Sequence, residues 1–260
     1  MTWSAKRQFF YGGIACFAVA LFLLINIYPK LNKAPTCFDT KQNGTETGID
    51  CGGGCERICQ AQTVPLVVKW SRSFKVGDGF YNAFAYVENQ NLQASSKTIG
   101  YEFTFYDANN IFISSRKGYI YVPANGRFGI FEPAVSTGNR VPKNTTFRFL
   151  TTPEWLKVTD DESKQTIFSE AGALANLDLA PRLPVDVSNP TTGDVRNIDV
   201  YAIVYDQDDN ALGVSKTLID ILPANSKKSV TFTWREPFNG EARRTEIITQ
   251  VNVFANRTTQ

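Results

Sequence analysis

Residues 100–107, Gly-Tyr-Glu-Phe-Thr-Phe-Tyr-Asp, and residues 199–206, Asp-Val-Tyr-Ala-Ile-Val-Tyr-Asp, are the two stretches that decide the fold. Each is an apolar run that ends in Tyr-Asp and is followed by a polar turn. Side chains alternate between the two faces of a strand, so Tyr101, Phe103 and Phe105 fall on one face. The matching face of the second stretch carries Val200, Ala202 and Val204. This period of two predicts strands with one face on a core.

The two stretches belong to a longer repeat with a period near one hundred residues. The anchors that recur in the same order are Val87 and Asn89 with Val187 and Asn189, Tyr106 and Asp107 with Tyr205 and Asp206, and Pro123-Ala-Asn125 with Pro223-Ala-Asn225. Such a period is too long for a solenoid unit and fits a whole small domain. The sequence therefore predicts two copies of one domain.

Polar turns separate the predicted strands. Residues 107–110 and 206–210 suit hairpin connections, because Asn and Asp tolerate positive φ and cap turns with their side chains. Short strands with turn signals about every ten residues indicate a β-sandwich. We predict an all-β protein with sandwich 1 at residues 63–152, sandwich 2 at 174–256, and a linker or shared strands at 153–173.

The N-terminal part predicts a membrane anchor. Residues 9–28 form an apolar run in which only Asn26 is strongly polar, and as a helix it is roughly 30 Å long, the thickness of a bilayer core. A cleaved signal peptide is the alternative, but the run is too long for one and no clear small-x-small cleavage site follows. We predict that residues 9–28 are a transmembrane helix that contacts the lipid bilayer, and that residues 1–8 are a cytoplasmic tail.

A cysteine-rich neck is predicted at residues 29–62. Its cysteines, Cys37, Cys51, Cys55 and Cys59, lie within 23 residues that also contain three consecutive glycines. Their spacing matches paired C-x2-C zinc ligands poorly, so two disulfides are the better interpretation, with three pairings open. Disulfides persist outside the cytosol. They therefore place residues 29–260 on the extracytoplasmic side of a cell membrane, whereas the flanking lysines and arginine leave the orientation nearly balanced.

Two resemblances follow from these residues. Residues 35–55 resemble the segment C-F-D-G-x-x-N-G-x-E-T-G-x-D-C-G-G-x-C of surface-exposed proteins, many of them from uncultivated small-genome bacteria, and depart from it at Thr40. Residues 64–255 are similar to tandem FxLYD-type domains, with Phe105-Tyr106-Asp107 and Val204-Tyr205-Asp206 at the motif and Asn89 and Asn189 at its turn. The second resemblance implies immunoglobulin-like sandwiches at a cell surface and no known activity.

Composition argues against several functions. The chain has no histidine, the commonest general base and metal ligand, and no nucleophile-elbow pattern. We therefore predict that it is not an enzyme and needs no cofactor. A formal net charge of +2 gives no electrostatic basis for binding nucleic acid.

Two groups of residues are weaker candidate sites. The first group places four oxygen-bearing side chains in one tight loop, those of Asp39, Asn43, Glu46 and Asp50. Calcium prefers oxygen ligands, but turn capping is the favoured interpretation of these residues. The second group is aromatic and consists of Phe84, Tyr86, Tyr119 and Tyr121. It could form a carbohydrate-binding strip, but aromatic residues of this kind more often pack or cover a sheet face.

These features together predict a single-pass, non-catalytic surface protein whose tandem sandwiches serve protein interaction or envelope structure. Its expected partners are other envelope or surface proteins. The alternatives are an accessory subunit of an envelope or pilus-like assembly, and a carbohydrate- or calcium-dependent binding module.

Overall fold

The computed structural model describes residues 3–31, 36–164 and 166–256. Residues 1–2 of the predicted tail, 32–35 of the neck, 165 of the linker and the terminal 257–260 lie outside the described residues. The chain divides into two compact units, residues 1–55 and residues 56–260.

The first unit begins with the helix α1 (Trp3–Leu31). Its large apolar side chains are exposed, among them Phe10, Phe17, Phe22 and Ile25. Within the part of the chain that the structure describes, no helix combines the length and the apolar character needed to cross a membrane. The membrane span at residues 9–28 stays a prediction.

The second unit is built from antiparallel strands, as predicted, although several of them are longer than the short strands that the turn spacing indicated. The strands are β1 (Val67–Gly77), β2 (Phe80–Asn89), β3 (Ala94–Tyr106), β4 (Phe112–Val122), β5 (Gly126–Ser136), β6 (Asn144–Phe149), β7 (Leu156–Lys157), β8 (Phe168–Ala171), β9 (Arg182–Asn189), β10 (Val195–Tyr205), β11 (Ala211–Leu222), β12 (Ser226–Thr233) and β13 (Arg244–Val251). The helices α2 (Asp160–Ser163) and α3 (Val253–Asn256) are one turn long.

The strands form two sandwiches with the same strand order. In sandwich 1 the sheet β1-β2-β5 faces the sheet β4-β3-β6, and β7 adds to β3. In sandwich 2 the sheet β8-β9-β12 faces the sheet β11-β10-β13. Adding seven to each strand number in the two sheets β1-β2-β5 and β4-β3-β6 gives the two sheets of sandwich 2, β8-β9-β12 and β11-β10-β13. The prediction of an all-β, sandwich-type fold is confirmed.

Each sandwich has its own core between its two sheets. The first core contains Phe103, Phe105, Phe128 and Ile130, all fully buried. The second core contains Leu183, Val185, Val200 and Phe232. Burying apolar side chains on both inner faces is what holds two sheets together, at about 25 cal/mol per Å² of apolar surface removed from water.

A third core joins the two sandwiches. Its buried residues are Phe74, Phe84 and Tyr86 from sandwich 1, and Tyr201, Ile203, Tyr205, Ala211, Val214 and Ile248 from sandwich 2. The outer face of β1-β2-β5 thus packs on the outer face of β11-β10-β13, and the unit is a stack of four sheets. We call this contact the sandwich junction.

The central strands β2 and β10 are buried on both faces, which explains their continuous apolar sequences. In β2, Ala83 and Ala85 face the first core, while Phe84 and Tyr86 face the junction. Strands that are covered on both sides are apolar at consecutive positions and do not alternate with polar residues. The ring of Phe84 occupies space that is open because residue 129 is a glycine. A Cβ on Gly129 would lie 2.6 Å from the ring.

Candidate functional site

The neck is cross-linked by disulfides, as predicted. Cys37 bonds to Cys55 with the Cα atoms 5.7 Å apart, and Cys51 and Cys59 are also disulfide-bonded. Cys37, Cys55 and Glu46 come close enough together to resemble a metal site. The two sulfurs are bonded to each other, however, so neither is available as the thiolate ligand that zinc requires.

The oxygen side chains of the neck are engaged in turns. The Asp50 carboxylate accepts from the backbone N–H groups of Asp39 and Thr40, at 2.9 and 3.0 Å. Asp39 accepts from the Asn43 side-chain amide at 2.8 Å, and Glu46 accepts from the Asn43 backbone. The hydrogen bond from Asn43 lowers the pKa of Asp39. These hydrogen bonds agree with the interpretation that the four residues cap turns.

The repeated asparagines occupy the same position in each sandwich and are completely buried. The Asn89 amide nitrogen donates to the carbonyls of Ala94 and Pro123, at 2.9 and 2.7 Å. In sandwich 2, Asn189 donates in the same way to the carbonyls of Gly193 and Pro223. Each asparagine therefore ties the loop after its own strand to a turn about thirty residues later, which is a structural role.

The repeated Tyr-Asp pairs end β3 and β10. The Asp107 carboxylate accepts from the backbone N–H groups of Asn109 and Ile111, both at 2.9 Å. Asp206 accepts from Asp208 and Asn210 in the same pattern. These backbone hydrogen bonds are the largest cause of the lowered pKa of both carboxyls. The aspartates thus cap the hairpin turns with their side chains.

The two repeat tyrosines differ in their surroundings. Tyr106 is partly buried at the end of β3, where its ring contacts Phe112. Tyr205 is buried in the sandwich junction, where Trp70 of β1 packs edge-on against it. The duplicated motif therefore keeps its turn-capping aspartate in both copies, whereas its tyrosine joins the sandwiches only in the second.

Two tyrosines from different sandwiches share one carboxylate at the rim of the junction. The Tyr86 hydroxyl donates to Glu246 at 2.5 Å, and the Tyr205 hydroxyl donates to the other oxygen of Glu246 at 3.1 Å. Burial, together with the hydrogen bond to Glu246, raises the pKa of Tyr86 to about 12, and burial likewise raises that of Tyr205. Both hydroxyls therefore stay protonated at neutral pH and act as hydrogen-bond donors.

Arginines cover this cluster from outside. The Arg244 guanidinium lies 4.0 Å from the centre of the Tyr205 ring and pairs with Asp209 at 2.8 Å. Arg127 lies 6.0 Å from the Tyr86 ring. Contacts of this kind between a cation and an aromatic face contribute about 0.5–1 kcal/mol each at exposed sites. The two tyrosines, Glu246 and the two arginines thus form one cluster that links the sandwiches, and we call it the clamp around Glu246.

A cleft of about 910 Å³ opens where the junction meets the surface. Its walls are residues 72–77 and 80–82 of sandwich 1 and residues 210–215 and 233–239 of sandwich 2. We call it the β1–β11 cleft. Trp234 and Phe238 pack edge to face at its side, and a Cβ on Gly213 would lie within 2.8 Å of both rings. Glycine is therefore required there for the ring pair to lie on β11.

Of the two interpretations of the four aromatic residues, the structure excludes the exposed carbohydrate-binding strip. Phe84, Tyr86 and Tyr121 are buried, and Tyr119 is the member of the four that is exposed, at 78%. They cannot form one exposed surface. The sequence signal that identifies the junction is the difference between the copies: Glu102 and Thr104 on the outer face of β3 are replaced by Tyr201 and Ile203 in β10.

Comparisons with known proteins give no functional relative. No protein-family model matches the chain, and no curated protein matches it. A red sea bream transglutaminase is 12% identical over 72% of this chain and 31% of its own, with a TM-score of 0.24. A beta-glucuronidase from glycoside hydrolase family 2 is 8% identical over 60% of this chain and 20% of its own, with a TM-score of 0.20.

A third solved structure, the Parabacteroides merdae beta-glucuronidase, is 10% identical over 85% of this chain and 33% of its own, with a TM-score of 0.20. The chain thus spans about a third or less of the length of these solved chains. Likeness at this level carries no argument about function.

Proposed function

We propose that this chain is a non-catalytic surface protein that presents its two sandwiches as one stiff body for interaction with other envelope or surface proteins. The observation that carries the proposal is the sandwich junction. Domains joined only by a flexible linker reorient freely, whereas a buried aromatic contact fixes their relative position. A fixed pair of sandwiches suits a spacer or a composite binding surface.

The clamp around Glu246 supports a structural role for the polar groups at the junction. Burial raises the pKa of both tyrosines, so their hydroxyls remain protonated and serve as hydrogen-bond donors to Glu246. The buried asparagines and the turn aspartates are engaged by backbone groups in both copies. The proposal therefore assigns no catalytic residue, cofactor or nucleic acid to the chain.

The disulfides support an extracytoplasmic location, because such bonds are rare in reducing compartments. In the proposal, residues 9–28 anchor the chain in a lipid bilayer with residues 1–8 in the cytoplasm. This part rests on the apolar run in the sequence. The neck would then connect the anchor to the sandwiches.

Membrane extraction with protease shaving tests the proposal. Full-length protein, expressed in a bacterial host, is extracted with alkaline carbonate, and a variant that lacks residues 3–31 is treated in parallel. We expect the full chain to stay with the membrane, the truncated variant to be released, and protease added outside the inner membrane to remove the sandwiches. Release of the full chain, or protection of the sandwiches until the cells are lysed, would contradict the proposal.

A further inference from the structure

Two large apolar side chains of the neck are exposed to water. Phe38 is 91% exposed and Ile49 is 63% exposed. They are the aromatic and the aliphatic residue of the segment 36–55, which otherwise consists of cysteines, glycines and polar residues. Single exposed apolar residues are common on proteins, so the positions of these two decide whether they have a function.

Phe38 and Ile49 flank one hydrogen-bonded contact in the neck. Phe38 directly precedes Asp39, whose backbone N–H donates to the Asp50 carboxylate at 2.9 Å, and Ile49 directly precedes Asp50. The Cys37–Cys55 disulfide closes the loop that contains both residues. One short, cross-linked loop therefore carries the two apolar side chains, and its described residues are too few and too polar to form a core that covers them.

Several polar groups of this loop are paired within the loop. The backbone N–H of Asn43 donates to Glu46 at 3.2 Å, and the backbone N–H of Gly54 donates to the Thr45 hydroxyl at 3.2 Å. Main-chain groups without a partner are costly to move away from water. A loop that pairs its own donors can therefore bring its apolar side chains to an apolar boundary.

The loop follows α1 closely along the chain. Phe38 comes seven residues after Leu31, the last residue of α1. An extended chain covers at most about 3.6 Å per residue, so Phe38 lies within about 25 Å of the end of α1. With residues 9–28 in a bilayer, as proposed above, this tether holds the loop near the lipid at an effective concentration of about millimolar. A weak apolar contact with the lipid is then sufficient, whereas a protein partner would have to be recruited from solution.

We propose that the cross-linked neck is a second membrane contact, in which Phe38 and Ile49 insert into the interfacial layer of the bilayer that α1 enters. Apolar side chains bury surface there at a depth of about 5–10 Å, and aromatic rings favour this layer. Residues 36–55 contain one lysine and three acidic residues, so apolar insertion holds the loop and attraction to anionic lipid does not. The inference rests on the proposed membrane anchor and gives the neck a function of its own, which is to hold the chain at the lipid surface.

Photocrosslinking of the full chain in phosphatidylcholine vesicles tests the inference. Each variant carries one photoreactive residue, Phe38→benzoylphenylalanine or Ile49→benzoylphenylalanine, and mass spectrometry identifies the molecule that it captures. We expect lipid adducts from both variants, with a yield at least about fivefold above that of Gln42→benzoylphenylalanine, because only the inserted side chains reach the lipid. Gln42 is an exposed polar residue of the same loop, so this control has the same tether. The yield should not rise when phosphatidylglycerol is added.

The variant Phe17→benzoylphenylalanine, in α1, separates this inference from the proposed anchor. Lipid adducts at Phe17 without lipid adducts at Phe38 and Ile49 would overturn the inference and leave the anchor in place. The absence of lipid adducts at all three positions would contradict both. Equal yields at Gln42 and Phe38, or adducts that form only with phosphatidylglycerol, would also overturn the inference. So would capture of a second copy of the chain, or of the sandwiches, in place of lipid.

Discussion

The ring of Phe84 in sandwich 1 lies 5.8 Å from the ring of Tyr201 in sandwich 2, centroid to centroid, and both side chains are completely buried. Neither ring belongs to the core of its own sandwich. Each points outward from its own sheet and is buried only because the other sandwich covers it. The junction between the sandwiches therefore has the character of a protein core.

Phe84→Ala should destabilise the protein by about 3–5 kcal/mol, because it leaves a cavity at the centre of the junction. Equilibrium unfolding in guanidinium chloride, followed by circular dichroism, measures this change. The control Tyr119→Ala, which removes an exposed aromatic ring, should stay within about 0.5 kcal/mol of the parent. Equal and small effects in the two variants would show that the junction does not contribute to stability.

Stability should decrease between pH 10 and pH 12. The folded-state pKa of Tyr86 is raised to about 12, above the value of about 10 for an unfolded tyrosine. The folded protein therefore holds this proton more tightly, and the resulting stabilisation is complete below pH 10 and is lost as the pH rises through 12. Denaturant melts at pH 9, 10, 11 and 12 measure the effect, and Tyr86→Phe should show a shallower decline. An identical decline in both proteins would exclude Tyr86 as a cause.

Replacing either buried repeat asparagine should cost about 1–3 kcal/mol, because Asn89→Ala leaves the buried carbonyl of Ala94 without this donor and Asn189→Ala does the same to that of Leu222. The unfolding free energy of each variant provides the measurement. Asn239→Ala, at an exposed position, is the control and should be near neutral. Two-state melting of Asn189→Ala with unchanged midpoint would count against the role assigned to the repeat.

Breaking the Cys37–Cys55 disulfide should loosen the neck. The bond closes a loop with a sequence separation of 18 residues, for which the loss of chain entropy on cross-linking is worth about 3 kcal/mol. In Cys37→Ser, hydrogen exchange at residues 36–55 should become faster, whereas Cys16→Ser, which removes the free thiol, should leave it unchanged. Unaltered protection in Cys37→Ser would mean that the neck is held by other contacts.

The parts of the fold that a local pattern encodes were predictable from the sequence. Tyr101, Phe103 and Phe105 alternate with polar residues, so their inner face is evident, and the crowded cysteines indicate cross-links. Phe84 and Tyr86 were harder, because their strand is apolar at consecutive positions and does not reveal what covers the second face. That information lies in β10, more than one hundred residues later.

The β1–β11 cleft was not predictable from local pattern. It forms where the end of β1 meets the start of β11. Nothing in the sequence of either strand indicates that the two lie side by side. The sequence around Gly213 does not show why glycine is required there. The reason is its contact with the rings of Trp234 and Phe238, which is seen only in the structure. Contacts between sequence-distant elements therefore decide the candidate site, while local residues decide the sandwiches.

The distance between the two sandwiches tests the account most directly. Spin labels on Tyr119→Cys and Thr231→Cys, at exposed positions on the outer sheets of sandwich 1 and sandwich 2, are attached to the full chain in a Cys16→Ser background, and the distance distribution is measured by pulsed electron resonance. We expect one narrow distribution that broadens when Phe84 and Tyr201 are both changed to alanine. A broad or multiple distribution in the otherwise unchanged protein would contradict the account, because the sandwiches would then move independently.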